Sequence, residues 1–351
     1  MKNKFLLYTL ILFVLYACGS SARDWYTLVE KLPEITELPP QLIRKYESFA
    51  DPRQLVIGDD YIYLADAKKE QFVHVIDKND LSYQRSFGKK GKGPGELIAL
   101  YGDIQLHDDK VWLLDCKLGK YIGYPISEKE FDEGTSFVER RIDPSLFLLS
   151  VEWLNDSTIF GHGFAEEEDM FSIVDETNTR VSSLGAIPTF GHKGMHIQLQ
   201  KQIADGTFSI SPDRTKVAFG YLYSDMLGIF DIPSKSGKNF KTHEDFDPLF
   251  EVEDRGDFQV MGQGGYTRLG YMDVVTTDER IYCLYSGNTC DENAKYGSKW
   301  VHIYNWDGEF IHRFELKYMT RRIAVEKDDS FLYAVQRSRT PSIAKYSLKS
   351  L

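Results

Sequence analysis

Cysteine is scarce, four in 351 residues, and no two of the four stand three positions apart. The paired thiols of a structural zinc site or a redox motif therefore do not occur. Positive charge is short as well. Forty-two Lys and Arg against 53 Asp and Glu give a net charge of −11, and removing a leader that holds Lys2 and Lys4 takes the remainder to −13. Binding to nucleic acid by counterion release is excluded on that ground. Beyond residue 18 no apolar run approaches the roughly 20 residues that cross hydrocarbon, and helical periodicity is almost absent. Two catalytic signatures are also missing: Gly-x4-Gly-Lys followed by Ser or Thr, and Gly-x-Ser-x-Gly. No metal and no cofactor is expected.

What is present begins at the amino terminus. Lys2 and Lys4 precede the apolar run Phe5 to Tyr16, which ends at Ala17-Cys18, the pattern of a secretory leader. Leu15-Tyr16-Ala17-Cys18 resembles the bacterial lipobox, which implies a leader over 1–17, cleavage before Cys18 and a lipid on that cysteine. Residues 18–40, with Pro33, Pro39 and Pro40, read as lipidated cysteine and tether, and 41–351 as one domain. No acidic cluster follows Cys18. By analogy with surface lipoproteins of Bacteroidetes, this places the protein on the outer membrane facing the periplasm, with the cell surface as the alternative. Cys283 and Cys290 are close enough in sequence for a small-loop disulfide, and two separate thiols fit equally well.

Within the domain one phrase returns six times: an apolar strand, a turn rich in Asp, Asn or Ser, then a second strand of aromatic and β-branched residues. The second strands are Tyr61 to Ala65, Val111 to Asp115, Ser157 to Gly161, Lys216 to Gly220, Arg280 to Leu284 and Phe331 to Val335. They recur at intervals of roughly 45 to 65 residues, the spacing of propeller blades rather than of sandwich strands or solenoid coils. The fold expected is all-β, a six-bladed β-propeller of four-stranded antiparallel blades. Gln41 to Phe49 is expected to supply the outer strand of the last blade, beside Ser342 to Leu348, and so to close the ring.

Phe87 to Leu97 holds four glycines and a proline between strands, and continues into Lys110 to Asp115, ending Leu-Leu-Asp. This stretch resembles an NHL-type repeat. Together with the lipobox, residues 41 to 351 resemble the TolB-like six-bladed propeller lipoproteins of Bacteroidetes. The resemblance implies the fold and an envelope location, and little about activity.

The glycine loop has no following helix to bind phosphate, so its glycines are expected to ease the chain from one blade to the next. His192 and His196 stand four apart, but Gly191 and Gly194 argue against a helical metal pair, and His162 reads as structural. Glu166 to Asp169 reads as a solvated hairpin tip.

Residues that enter the inner strands should converge on the axis: Arg53, Tyr101 and Asp103, Ser150, Thr207, Tyr271, and Arg321 or Arg322, with Arg322 preferred. Such a mouth could take a small polar ligand or the carboxylate of an envelope protein through forked hydrogen bonds and ring stacking. Alternatively the arginines pair with internal acids. The functional expectation is a membrane-anchored, non-catalytic binding propeller that presents one face to a protein or small polar ligand. The competing one is a calcium-dependent lactonase-like hydrolase on the same fold.

Overall fold

Asp108 and Asp109 both adopt positive φ, 48° and 51°. A two-residue turn of this kind matches the twist of its flanking strands, and it joins Ile104–His107 to Lys110–Asp115. The computed structural model describes residues 25–349 except 30, 101–103, 127–135, 193, 243, 257, 293–296 and 337. The leader and Cys18 lie outside the described residues.

Each repeat is a meander of four antiparallel strands. Blade 1 is Pro52–Ile57, Tyr61–Asp66, Gln71–Asp77 and Tyr83–Lys89. Blade 2 adds Lys120–Pro125 and Val138–Arg141 to the pair above. Blade 3 is Leu148–Trp153, Ile159–Gly163, Asp169–Val174 and Arg180–Ala186. Blade 4 is Gly206–Ile210, Lys216–Tyr221, Met226–Asp231 and Ser236–Lys241.

Blades 5 and 6 are fused by one long strand, Phe310–Val325. Its first half pairs with Ser298–Asn305 as the outer strand of blade 5, and its second half pairs with Phe331–Gln336 as the inner strand of blade 6. Tyr271–Thr276 and Arg280–Tyr285 complete blade 5, and Ser342–Ser347 continues blade 6.

Six apolar clusters hold the ring, and each joins neighbouring blades. Val73, Val75 and Phe87 of blade 1 meet Val111, Leu113 and Ile122 of blade 2. The same arrangement links blades 2 and 3, 3 and 4, 4 and 5, and 5 and 6, and Leu64 and Ile76 of blade 1 meet Tyr333 and Val335 of blade 6. A sheet packed on both faces reads as a continuous apolar run rather than an alternation. This is why the second strands, such as Tyr61–Asp66, are buried almost throughout. Each large side chain so buried contributes about 1.5–3 kcal/mol.

The ring closes as expected. Leu42–Lys45 pairs antiparallel with Ser342–Lys345, and Tyr46 and Phe49 enter the core between blades 6 and 1, stacked at 4.3 Å. Upstream, Thr27–Leu28 runs parallel to Phe240–Lys241 on the edge of blade 4, and Ile35–Leu38 runs parallel to Arg313–Leu316 on the edge of blade 5. The proline-bearing linker, expected to join the domain edge, thus does so as a belt over successive outer edges, in which main-chain hydrogen bonds are available to any extended segment.

In blade 3 the second strand starts at Ile159 rather than Ser157, because the Asn155 side chain accepts from the Ser157 and Thr158 amides and lengthens the turn. Cys116, Cys283 and Cys290 are separate thiols, with Cys283 wholly buried in the core between blades 4 and 5. In an odd-even meander the chain passes from each outer strand to the next inner strand on one end of the ring. That end, the crossover face, carries the long insertions, including a helix (α1, Ile197–Ile203) and a hairpin (Glu251–Asp254 with Gln259–Gly262).

Candidate functional site

The crossovers are pinned from beneath by acids at the ends of second strands. Asp66 is fully buried and accepts from the amides of Ala50, Asp51 and Lys68, with His74 Nε2 at 3.5 Å. Burial alone would raise its carboxyl, but these donors bring it down to about 2. Asp115 holds the next crossover by accepting from the amides of Ile98, Ala99, Lys117 and Leu118.

The Asp66 latch positions Asp51, and Asp51 gathers cations. Its Oδ2 accepts from Arg53 Nε and Nη2 at 3.0 and 2.7 Å, and its Oδ1 accepts from Arg321 Nη1 at 2.6 Å. Lys68 Nζ stands 3.9 Å from Oδ2. Burial of Asp51 works toward a higher pKa, yet the Arg321 and Arg53 guanidinium groups hold the carboxyl below its ordinary value. These side chains line a cleft of about 430 Å³ between blades 6 and 1, with Gln336 and Ser338 on its far wall. One carboxylate among three cations leaves two positive charges facing the opening.

Of the residues expected around the axial mouth, Arg53 lies instead in this cleft between two neighbouring blades, with Arg321 beside it rather than Arg322. The pairing of the inner strand shifts register between Thr320 and Arg322, leaving Arg321 at a bulge. Arg321 reaches Asp51 of blade 1, while Arg322 turns to blade 5 and donates to the carbonyl of Met272 at 3.0 Å, near the buried Asp273. Tyr271 is also misplaced by the expectation. It is fully buried, its hydroxyl lies 2.6 Å from that of Tyr304, and its Cβ lies against Gly220 in the core between blades 4 and 5. Ser150 and Thr207 are half-buried on blades 3 and 4, in register with His162 and Gly220, and do not reach the cleft. Tyr101 and Asp103 lie outside the described residues. Missed from the sequence were Asp51 and Lys68. The one signal was an acid two residues before Arg53, where a strand begins.

The remaining motifs are structural in their contacts. His162 bridges the Met170 carbonyl and Asp205, each at 3.2 Å. His196 caps α1 and the His192 ring lies against Phe250, so the two do not form a pair. Among the described residues no three His, Cys, Asp or Glu side chains are gathered as a metal site. The glycine loop turns its carbonyls inward onto Lys120, the reverse of a phosphate cradle. The other end of the axis opens into a space of about 470 Å³ walled by all six inner strands, Leu55, Leu106, Ile210, Val274 and Ile323 among them.

Residues 41–328 match a family model described as TolB-like 6-blade propeller-like. A solved structure of a candidate exported protein from Bacteroides fragilis is similar at a TM-score of 0.58 and 12% identity, over 91% of this chain and 99% of that one. A second, from a family of undefined function in Bacteroides vulgatus, is similar at 0.57 and 14%, over 89% and 97%. At these identities the likeness concerns the fold. No curated protein matches the sequence.

Proposed function

Since the chain belongs to the TolB-like six-bladed propeller family, we propose that it is a non-catalytic binding propeller, and that the cleft between blades 6 and 1 takes a ligand bearing a carboxylate or a cluster of hydroxyls. The observation that carries this reading is the convergence of Arg53, Arg321 and Lys68 on the single carboxylate of Asp51. Asp51 satisfies only part of the two guanidinium forks, and the unused donors suit a second planar or oxygen-rich group. The lipobox-like Cys18 and the exported description of the Bacteroides fragilis neighbour support a lipid-anchored place in the cell envelope, on the outer membrane facing the periplasm. The lactonase-like alternative needs a channel set of calcium ligands, and nothing in the described geometry favours it.

The test uses the intact acylated chain to capture ligand or partner from detergent-solubilised envelope. Arg53→Ala and Arg321→Ala should each weaken capture by about 1.5–3 kcal/mol, the range for a charge-assisted hydrogen bond, with melting temperature little changed. Lower melting temperature with capture intact would instead make the arginines a purely internal clamp. The companion variant Cys18→Ser should leave the chain unanchored or unprocessed.

A further inference from the structure

The crossover face is electrically divided, and the division follows the ring. Over blades 6, 1 and 2 the exposed charges are mostly cationic: Arg339, Lys68, Lys90, Lys92 and Lys117. Across the axis, over blades 3, 4 and 5, they are mostly acidic: Glu166 and Glu168 in the blade 3 hairpin, Glu251 and Glu253 on the projecting hairpin, and Asp291 beyond blade 5's second strand. Topology puts all ten on one face, because each lies in a crossover insertion or in a turn between second and third strands. Blades 1 and 4 are opposite in a six-membered ring, so the two arcs are diametrically placed. The same face carries exposed apolar side chains on its insertions, with Phe147 and Phe258 each 56% exposed and Leu249 59% exposed. Apolar groups among charged ones are the usual make-up of a surface that meets another protein.

We propose that this face docks a second copy of the same chain. A twofold axis lying in the face, along the boundary between the arcs, sets the cationic arc of each copy onto the acidic arc of the other. The contact is then self-complementary and closes at two copies. Any other rotation brings like charges together, so the charge pattern selects the orientation as well as the partner. Each exposed pair is weak on its own; the strength lies in two arcs acting together with the exposed apolar side chains of the insertions. The inference is independent of the cleft, since Lys117, Glu166 and Glu168, which this twofold brings together, do not line it.

The experiment mixes unlabelled and nitrogen-15-labelled full-length chains in detergent at low ionic strength and treats them with a carbodiimide, which joins amines to carboxylates that touch. Mixed-label peptides linking Lys117 to Glu166 or Glu168 are expected, because this twofold sets blade 2 of one copy on blade 3 of the other. They should vanish at about 1 M salt, where the Debye length falls to about 3 Å. The variant Lys117→Glu should lose the links. Mixing it with Glu166→Lys, Glu168→Lys should restore linkage between the reversed positions, with each exposed substitution leaving the fold intact. Wild-type chains that give no mixed-label links at low salt, or reversed chains that fail to re-pair, would overturn the proposal.

Discussion

Lys120 of blade 2 donates its ammonium to the carbonyl of Gly93, in the crossover from blade 1, at 2.7 Å. The carbonyls of Lys92 and Glu96 lie at 3.4 and 3.3 Å, and Glu139 Oε2 at 3.6 Å. The lysine is only 3% exposed, so the loop is folded around an internal cation. Gly95, at φ 66°, allows the close passage, since a Cβ there would come within 2.8 Å of the Phe137 ring.

Lys120→Met keeps the apolar stem and leaves the carbonyls without a donor. A loss of about 1–3 kcal/mol is expected, the cost of leaving buried acceptors unsatisfied, with faster hydrogen exchange at the amides of Gly91 and Leu97, which bond within the loop. Unchanged exchange at both amides would mean the loop holds itself.

The Asp66 latch sets an acid limit on the fold. Its carboxyl titrates near 2 in the folded chain against an ordinary 3.8, so its contribution is complete above about pH 4 and is lost as pH falls toward 2. The shift corresponds to about 2 kcal/mol. Asp66→Asn should be less stable by roughly that amount at pH 7, and the deficit should shrink at pH 2–3. Urea melts at both pH values measure it, and a deficit that stays constant would assign the loss to packing.

Much of this architecture was legible in the sequence. Turns such as Asp108-Asp109 and apolar second strands such as Lys216–Tyr221 announce themselves locally, and their recurrence gives the blades. The cleft was legible only in part. Arg53 could be singled out because it opens an inner strand, but the choice between Arg321 and Arg322 turns on a bulge at Arg321, which the sequence does not mark. Asp51 drew no attention because its meaning comes from Arg321, 270 positions away. That the linker joins the domain edge was legible, but its strands were not: Ile35–Leu38 is largely exposed and takes its strand form from the edge it lies on.

Closure is tested by removing Gln41 to Phe49. The deletion strips the outer strand of blade 6, the Tyr46 and Phe49 rings, and the hydrogen bond from the Tyr46 hydroxyl to the Leu81 carbonyl at 2.6 Å. Loss of one buried aromatic costs about 3–5 kcal/mol, so the whole domain should melt earlier in a single transition. A parent-like melting temperature, or a separate early transition confined to blade 6, would show that the ring does not depend on this strand.

His302 gives the second pH dependence, of known sign. It is 2% exposed and stacked on Tyr285 at 4.3 Å, and neither ring nitrogen makes a hydrogen bond. Burial, with the nearby Arg313 charge, pushes its pKa well below 6.5, so the folded chain holds it neutral while the unfolded chain takes up a proton. Stability from this group is therefore full above about pH 6.5 and falls as pH drops below it, by up to about 1.4 kcal/mol per pH unit. Asp225 and Asp273, whose burial raises them to about 6, act with the opposite sign over the window from 6 down to 3.8. The measurement is therefore the difference between wild type and His302→Phe, in which both acids cancel. Phenylalanine fits among Tyr271, Tyr285 and Phe310 and removes two unsatisfied polar atoms, so the variant should match or exceed wild type at pH 8 and gain on it steadily from pH 6.5 to 5. A difference independent of pH would mean that His302 finds a proton partner when it charges.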